Sequence, residues 1–178
     1  MALSILIKNG TMLDGAGGEP YVADLGISAN RIEKIGNLAG ETADQIIDAT
    51  NLYVTPGFID LTNHSDVYGT LFSLPMQESF LRQGVTTILL GNCGESLAPV
   101  SRRESLTELE RWTTGFSVPI NWNSLSDYYD NIENLGVGPN VATLIGHETL
   151  KRNGKTLEEK IFLLESAMKD GAWGLSSN

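Results

Sequence analysis

Short runs of alternating apolar and polar residues, separated by turn residues, fill the first 52 positions of the chain. These runs cover residues 4–8, 23–28, 31–35 and 45–48. Alternation with a period of two is typical of strands that bury one face. We therefore predict a small β meander over residues 1–52. Three or four strands form only one face, so its apolar side needs strands from elsewhere to close a sandwich.

From residue 53 onward the pattern changes to strands that alternate with helices. The predicted strands are 53–60, 85–90, 140–145 and 172–176, and the predicted helices are 75–82, 101–112, 124–135 and 156–170. Two of these helices begin at capping boxes, in which Ser101 pairs with Glu104 and Thr156 with Glu159. Strands alternating with helices predict parallel pairing, in a doubly wound sheet or a (β/α)8 barrel. No glycine-rich phosphate loop accompanies them, which disfavours a nucleotide-binding sheet.

Composition narrows the class of protein further. The chain has 178 residues, 12 Lys and Arg, 22 Asp and Glu, and one cysteine, Cys93. A single cysteine excludes a disulfide scaffold, and the acidic balance disfavours a nucleic-acid partner. No apolar run is long enough for a membrane helix, and the first residues lack the pattern of a signal peptide. We expect a cytoplasmic protein without a membrane or nucleic-acid partner.

The few side chains that can bind a metal ion follow the predicted parallel strands. His64, Cys93 and His147 each lie within about four residues of the carboxyl end of a successive strand, the rim where α/β barrels build active sites. Histidine and cysteine are first-choice ligands of zinc, and Asp66 lies close to His64. A bound zinc ion polarises a carbonyl and acidifies water, which is the chemistry that amide hydrolysis needs. The rim placement therefore predicts a zinc site.

Other interpretations of the same side chains stay open at this point. His147 is equally consistent with a loop residue that has no ligand role. Cys93 could be a small buried hydrophobe, although the neighbouring Gly91 and Gly94 favour a functional loop. A cysteine nucleophile with His64 or His147 as its base is a third interpretation. The tryptophans are expected in packing: Trp112, Trp122 and Trp173.

Consecutive blocks of the chain resemble the amidohydrolase superfamily, and within it the N-terminal part of the N-acyl-D-amino-acid deacylase (D-aminoacylase) branch. The blocks read ILIKNGTMLDGAGGEP, IIDATNLYVTPGFID, GVTTILLGNCGESLAPV, GPNVATLIGHETLKR and GAWGLSSN. This resemblance implies a β-sandwich portion over residues 1–52. It also implies the first half, about four βα units, of a distorted (β/α)8 barrel of the TIM type over residues 53–178. The implied activity is zinc-dependent hydrolysis of a linear amide bond, which removes the N-acyl group from a D-amino acid.

The resemblance also assigns roles to residues of this chain. Cys93 falls on the metal-ligating cysteine of the deacylase branch, and His64 on the second histidine of the H-x-H motif after the first barrel strand. The first histidine of that motif falls on Thr62, which puts a second metal ion in doubt. Asp66 and His147 are given supporting positions behind or beside the metal. The remaining ligands and the catalytic aspartate belong to later strands, so no catalytic residue is expected in this chain.

Two further departures from the family concern charge. Glu95 stands where these enzymes carry an apolar or aromatic residue, and Glu148 where they carry glycine. Both are expected to add negative charge near a site that receives the carboxylate of an N-acyl amino acid. Such changes indicate an altered specificity or a lost activity.

Two hypotheses follow. The chain is the N-terminal fragment of a zinc-dependent amide hydrolase with a small-molecule N-acyl amino acid as substrate, and it is inactive by itself. Alternatively, it is a non-catalytic remnant, a pseudoenzyme half-barrel that lacks the later ligands and the catalytic aspartate. Four strands leave two open sheet edges, so self-association through these edges is expected in the second case.

Overall fold

The computed structural model describes residues 2–102, 118 and 120–177, which form a mixed α/β structure. By their internal contacts they divide into two units, Met1–Pro56 and Gly57–Asn178. The predicted boundary between residues 52 and 53 lies four positions before this division. None of the helices in the described part of the chain combines the length and apolar character needed to cross a membrane.

The first unit is a sheet of five strands. They are β1 (Leu3–Met12), β2 (Tyr21–Ser28), β3 (Arg31–Gly36), β4 (Ala43–Asp48) and β5 (Tyr53–Val54). The order is β3-β2-β1-β4, and β5 also pairs with β1. The first three strands pair antiparallel, but β4 and β5 run parallel to β1. The predicted strands are confirmed, whereas the predicted meander is wrong because the long central β1 accepts partners along both edges.

The core of this unit is small. Leu3, Leu6 and Leu38 are buried, and Ala43 packs against them. Many apolar side chains of the sheet remain exposed, among them Val22, Ile32, Ile46, Leu52 and Tyr53. Exposed apolar side chains on a sheet normally pack against a further layer, as the sequence analysis predicts.

The second unit carries parallel strands in chain order. They are β6 (Phe58–Asp60), β7 (Val85–Leu90), β8 (Asn140–Thr143), β9 (Ile145–Gly146) and β10 (Leu175–Ser176). The sheet β6-β7-β8 is parallel, and β9 pairs parallel with β10. Only Leu144 separates β8 from β9, and its backbone N–H donates to the carbonyl of Leu90 at 2.9 Å. The predicted parallel pairing is thus confirmed.

One predicted strand is divided between the units. Residues 53–60 were expected to form one strand, but β5 pairs with β1, whereas β6 pairs with β7. The break is at Pro56-Gly57. Proline has no N–H for a strand ladder, and a side chain at Gly57 would collide with Thr86.

Five helices lie in the described residues of the second unit. They are α1 (Thr70–Ser73), α2 (Glu78–Leu81), α3 (Leu125–Leu135), α4 (His147–Asn153) and α5 (Leu157–Lys169). The predicted helix 75–82 begins too early, because Pro75 lies between α1 and α2. Residues 103–112 of the predicted helix 101–112, with Glu104 of its capping box and Trp112, lie outside the described residues.

The helix caps explain where α3 and α5 begin. Ser124 Oγ accepts a hydrogen bond from Asp127 N at 3.1 Å, and Asp127 Oδ2 accepts one from Ser124 N at 3.0 Å. This is a complete capping box. At α5, Thr156 Oγ1 accepts from Glu159 N at 3.2 Å, but the Glu159 carboxylate accepts from Lys155 N instead. The second predicted capping box is therefore only half formed.

Two of the tryptophans have opposite surroundings. Trp122 is buried, stacks on Phe72 at 5.6 Å and donates from Nε1 to the carbonyl of Leu97 at 2.8 Å. The packing role predicted for it is confirmed. Trp173 is 76% exposed, so the same prediction for that residue is wrong for the described structure.

Candidate metal centre

His64 and Cys93 lie side by side at the carboxyl ends of neighbouring strands. His64 follows β6, Cys93 follows β7, and Cys93 Sγ is 3.9 Å from His64 Nε2. A sulfur and a nitrogen that bind the same tetrahedral zinc ion lie about 3.6 Å apart, given zinc bonds of roughly 2.3 Å and 2.0–2.1 Å. The two donors therefore need to move by only a few tenths of an ångström to share one zinc ion, and this donor pair fits that metal.

The backbone presents Cys93 on a tight turn. Cys93 has φ +53°, and Gly91 and Gly94 on either side have φ +71° and +76°. A side chain at Gly91 would collide with the carbonyl of Leu144, so the turn also needs glycine for close approach to the neighbouring strand. The thiol of Cys93 is exposed. The turn thus holds the sulfur outward at the strand ends.

Asp66 connects the His64 loop to this turn. Its side chain is 1% exposed, and Oδ2 accepts a hydrogen bond from Gly91 N at 3.0 Å. Burial raises the pKa of Asp66 to about 6, against the opposing effects of backbone N–H donors at Val67 and Gly91 and of the nearby His64. The other oxygen, Oδ1, is buried and has no hydrogen-bond partner among the described residues. The predicted supporting position of Asp66 thus agrees with its contacts, while its metal role stays a prediction.

Tyr128 lies in the same buried environment. Its hydroxyl has no hydrogen-bond partner in the part of the chain that the structure describes. Burial raises the pKa of Tyr128, and the neighbouring charges of Asp66 and Tyr129 raise it further. The phenol of Tyr128 therefore stays uncharged and packs in this buried region.

His147, whose role the sequence leaves open, is the first residue of α4. It is exposed, and its Nδ1 lies 3.9 Å from Glu148 Oε1. Over residues 2–102, 118 and 120–177, no three His, Cys, Asp or Glu side chains are grouped so that they could hold one metal ion. His147 is thus not brought together with His64 and Cys93 as a third ligand, and the pair forms a partial site.

The two additional glutamates do not leave unpaired charge at the site. Glu95 forms a two-pronged ion pair with Arg152, in which Arg152 Nη1 donates to Oε1 at 2.9 Å and Nη2 donates to Oε2. Both side chains are largely buried, with 15% and 16% exposed. Glu148 accepts from Lys151 Nζ at 2.8 Å, which lowers the pKa of Glu148. The expected gain of negative charge is therefore wrong, because each acid has a basic partner.

A cavity of about 810 Å³ opens beside His64. Its lining includes Thr62, His64, Tyr68, Leu74, Met76 and Phe80. Thr62 thus lines the same space as His64. The cavity combines apolar walls with the imidazole of His64 and the carboxylates of Asp60 and Glu78.

The sequence analysis did not identify the residues from other elements that form hydrogen bonds to the loop around Cys93. Ser176 and the first turn of α4 contact residues 91–96 through hydrogen bonds. These partners are more than 50 positions away along the chain. Local pattern carries no signal for them apart from the predicted strand end at residue 176.

Comparison of this sequence with known proteins finds relatives that are deacylases of N-acyl amino acids. A comparison with models of protein families gives no match. Over 97% of its length the chain is 34% identical to a D-aminoacylase and 33% identical to an N-acyl-D-aspartate deacylase, both from Alcaligenes xylosoxydans xylosoxydans. It spans 37% and 36% of those relatives.

Solved structures agree with these relatives. An N-acyl-D-glutamate deacylase from Bordetella bronchiseptica, complexed with zinc and a phosphonate mimic of the tetrahedral intermediate, matches with a TM-score of 0.85 and 30% identity. That match covers 99% of this chain and 38% of the deacylase. A D-aminoacylase studied for its binuclear metal centre matches with a TM-score of 0.84 and 31% identity, over 98% of this chain and 38% of the enzyme.

Proposed function

We propose that this chain, which is homologous to the N-terminal part of the D-aminoacylase branch of the amidohydrolase superfamily, forms part of a zinc-dependent hydrolase that removes N-acyl groups from D-amino acids. The observation that carries the proposal is the 3.9 Å approach of Cys93 Sγ to His64 Nε2 at adjacent parallel strand ends. The substrate class is taken from the named activities of the relatives, of which this chain spans little more than a third.

The domain assignment belongs to the same proposal. The predicted domains 1–52 and 53–178 are a partial β-sandwich and the first half of a metal-dependent hydrolase barrel, with residues 53–56 assigned to the sandwich because β5 pairs with β1. Parallel strands in chain order support this assignment, since a (β/α)8 barrel adds each strand beside the previous one. The exposed apolar side chains of the first unit support it too, because a sandwich needs a second layer.

Within this chain, Cys93 and His64 would hold the zinc ion, whose role when bound is to polarise the acyl carbonyl and acidify water. Asp66 fixes the Cys93 turn through Gly91 N and lies behind His64, where it holds the two ligand loops together. His147 stays a rim residue without a contact to the pair. The remaining ligands and the catalytic aspartate must come from later strands, so this chain alone is inactive.

The cavity beside His64 gives this site room for a substrate. Its apolar wall of Leu74, Met76 and Phe80 suits an acyl group or an apolar side chain better than a charged one. His64 at the same cavity brings the ligand pair next to that space. The cavity therefore supports a small-molecule substrate.

A non-catalytic half-barrel is the second candidate, and Thr62 favours it. Thr62 lines the cavity at the place of the first H-x-H histidine, and the described residues hold only two grouped donors. Apolar side chains are exposed at both ends of the strand series, at Phe58 and Ile59 of β6 and at Leu175 of β10. Self-association through those edges would cover them.

Expression of the complete open reading frame that encodes this chain tests the choice. Zinc content by mass spectrometry and hydrolysis of N-acetyl-D-amino acids, with the L-enantiomers as controls, are measured for the wild type and for Cys93→Ser. The hydrolase proposal expects bound zinc and D-selective hydrolysis, both lost in the variant. A wild type without zinc and without hydrolysis that light scattering shows to be a dimer supports the remnant instead.

A further inference from the structure

We infer that Ser176 is a positioning residue for Cys93, because its hydroxyl closes the turn that presents the thiol to His64. The inference rests on the proposed function, in which Cys93 and His64 share a zinc ion. It adds a residue from a third strand, β10, to the support of that site.

The Ser176 hydroxyl bonds to both sides of Cys93. Ser176 is buried at the end of β10, and its Oγ donates to the carbonyl of Gly91 at 2.5 Å. The same oxygen accepts a hydrogen bond from Gly94 N at 3.1 Å. One side chain thus satisfies a buried acceptor two residues before Cys93 and a buried donor one residue after it.

The turn needs such a tie because its backbone is strained. Cys93 has φ +53°, a left-handed conformation that residues with a Cβ rarely adopt. Strained backbone of this kind persists only where surrounding contacts hold it. If the tie is lost, Cys93 can relax toward negative φ, and this rotation carries Sγ away from His64 Nε2.

Other contacts hold the ends of the turn but do not replace this one. Asp66 Oδ2 accepts from Gly91 N, and the backbone N–H of Glu148 in α4 donates to the carbonyl of Gly94 at 2.9 Å. Each of these contacts fixes one end only. Within the turn, Glu95 N donates to the carbonyl of Asn92 at 3.1 Å. Ser176 joins the two ends from outside, so together with this backbone bond it sets the width of the turn and the direction of the thiol.

Thr149 provides a matched comparison. Its side chain is also buried, and its Oγ1 donates to the carbonyl of Ser96 and accepts from Ser96 N, both at 2.9 Å. The hydroxyl of Thr149 therefore makes the same two kinds of bond in the same loop, three residues beyond Cys93. Its loss should cost stability without turning the thiol.

The experiment titrates the full polypeptide encoded by the gene with Co²⁺ and follows the thiolate-to-cobalt charge-transfer band, which reports a metal–sulfur bond. The variants are Ser176→Ala, Ser176→Thr, which keeps the hydroxyl, and Thr149→Val. Ser177→Ala at the neighbouring exposed position is the surface control, Cys93→Ser is the blank, and thermal unfolding monitors the fold of each protein.

We expect Ser176→Ala to weaken Co²⁺ binding by about 10-fold or more and to reduce the band, as is usual for a lost partner behind a metal ligand. Ser176→Thr should restore the band. Thr149→Val should lose thermal stability like Ser176→Ala and still bind Co²⁺ within about twofold of the wild type, well short of that 10-fold loss.

The outcomes separate the two proposals. A wild type without a thiolate band overturns the proposed zinc site, and with it this inference. A wild type with the band and an unchanged Ser176→Ala overturns the inference alone. If Ser176→Ala does not fold, the charge-transfer bands of Ser176→Thr and Ser177→Ala are compared instead. Equal bands support the inference, because threonine keeps the hydroxyl. A weaker band in Ser176→Thr contradicts a role for the hydroxyl.

Discussion

The carboxylate of Asp66 accepts a hydrogen bond from the backbone N–H of Gly91 at 3.0 Å, and this bond joins the loops that follow two adjacent strands. His64 lies two residues before the acceptor and Cys93 two residues after the donor. The bond therefore fixes the two proposed zinc ligands relative to each other. Asp66 is buried, and this bond is its described contact with the Cys93 turn.

Replacing Asp66 by alanine should destabilise the protein. The change leaves the buried N–H of Gly91 without its acceptor, which costs about 1–3 kcal/mol of the free energy of unfolding. Urea denaturation of the metal-free protein near pH 4 measures this loss, because the buried carboxyl of Asp66 is protonated there and its raised pKa costs little stability. Asp130→Ala, at an exposed position of α3, should change the same quantity by less than about 0.5 kcal/mol. Equal effects of the two substitutions would contradict the role given to Asp66.

Replacing Cys93 by glycine should separate stability from metal binding. Glycine adopts φ +53° without strain and the thiol is exposed, so we expect the metal-free protein to gain up to about 1 kcal/mol. Zinc binding should be lost. Ala29→Gly, at a turn of the first unit with the same φ of +53°, should give a similar gain and leave zinc binding unchanged. Calorimetry and zinc titration test both statements, and a Cys93→Gly protein that still binds zinc would contradict the site.

Placing a histidine at position 62 should strengthen the metal site. Thr62 and His64 line the same cavity, so Thr62→His adds an imidazole beside the existing pair. A third donor should raise zinc affinity at least about tenfold, which corresponds to ~1.4 kcal/mol. Thr70→His, elsewhere on the same cavity wall, is the control. Competition with a chelating dye gives the affinities, and an equal effect of both substitutions would argue against a site centred on His64.

Asp24 makes the stability of the first unit depend on pH. Its two oxygens accept hydrogen bonds from the backbone N–H groups of Asn9 and Leu38, each at 2.9 Å. These bonds, that of Asn9 first, lower the pKa of Asp24 below its usual 3.8. A lowered pKa means that the folded state releases the proton more easily than the unfolded state. The stabilisation is therefore fully present above pH 3.8 and is lost as the pH falls through the folded-state pKa.

Comparison of the wild type with Asp24→Asn tests this dependence. The difference in unfolding free energy should be largest at neutral pH and shrink below pH 3.8. Denaturation curves between neutral and strongly acidic pH measure it. A difference that stays constant over this range would show that the charge of Asp24 contributes nothing.

The sequence predicted the elements whose signals are local. The apolar run VTTILL gave the strand 85–90 at its observed bounds, and Ser124 gave the start of α3. The helix α4 was missed because it has only seven residues and its N-cap, Gly146, has no side chain to accept a capping hydrogen bond. The strand 53–60 was assigned as one element because pattern does not reveal that its two ends pair in different sheets.

The candidate site was predictable to a similar extent. His64 and Cys93 could be named from residue chemistry and from their place after parallel strands, and they lie 3.9 Å apart. Ser176 could not be named, because its bonds to Gly91 and Gly94 span more than 80 positions of the chain. Hydrogen bonds between distant segments depend on the folded arrangement and leave no periodic trace in the sequence.

The most direct test of the central claim is zinc K-edge X-ray absorption of the purified, zinc-loaded protein. If Cys93 and His64 hold the metal, the spectrum requires one sulfur at about 2.3 Å together with nitrogen or oxygen donors near 2.0–2.1 Å. The sulfur contribution should vanish in Cys93→Ser. A wild-type spectrum with nitrogen and oxygen donors alone would contradict the assignment of Cys93 as a zinc ligand.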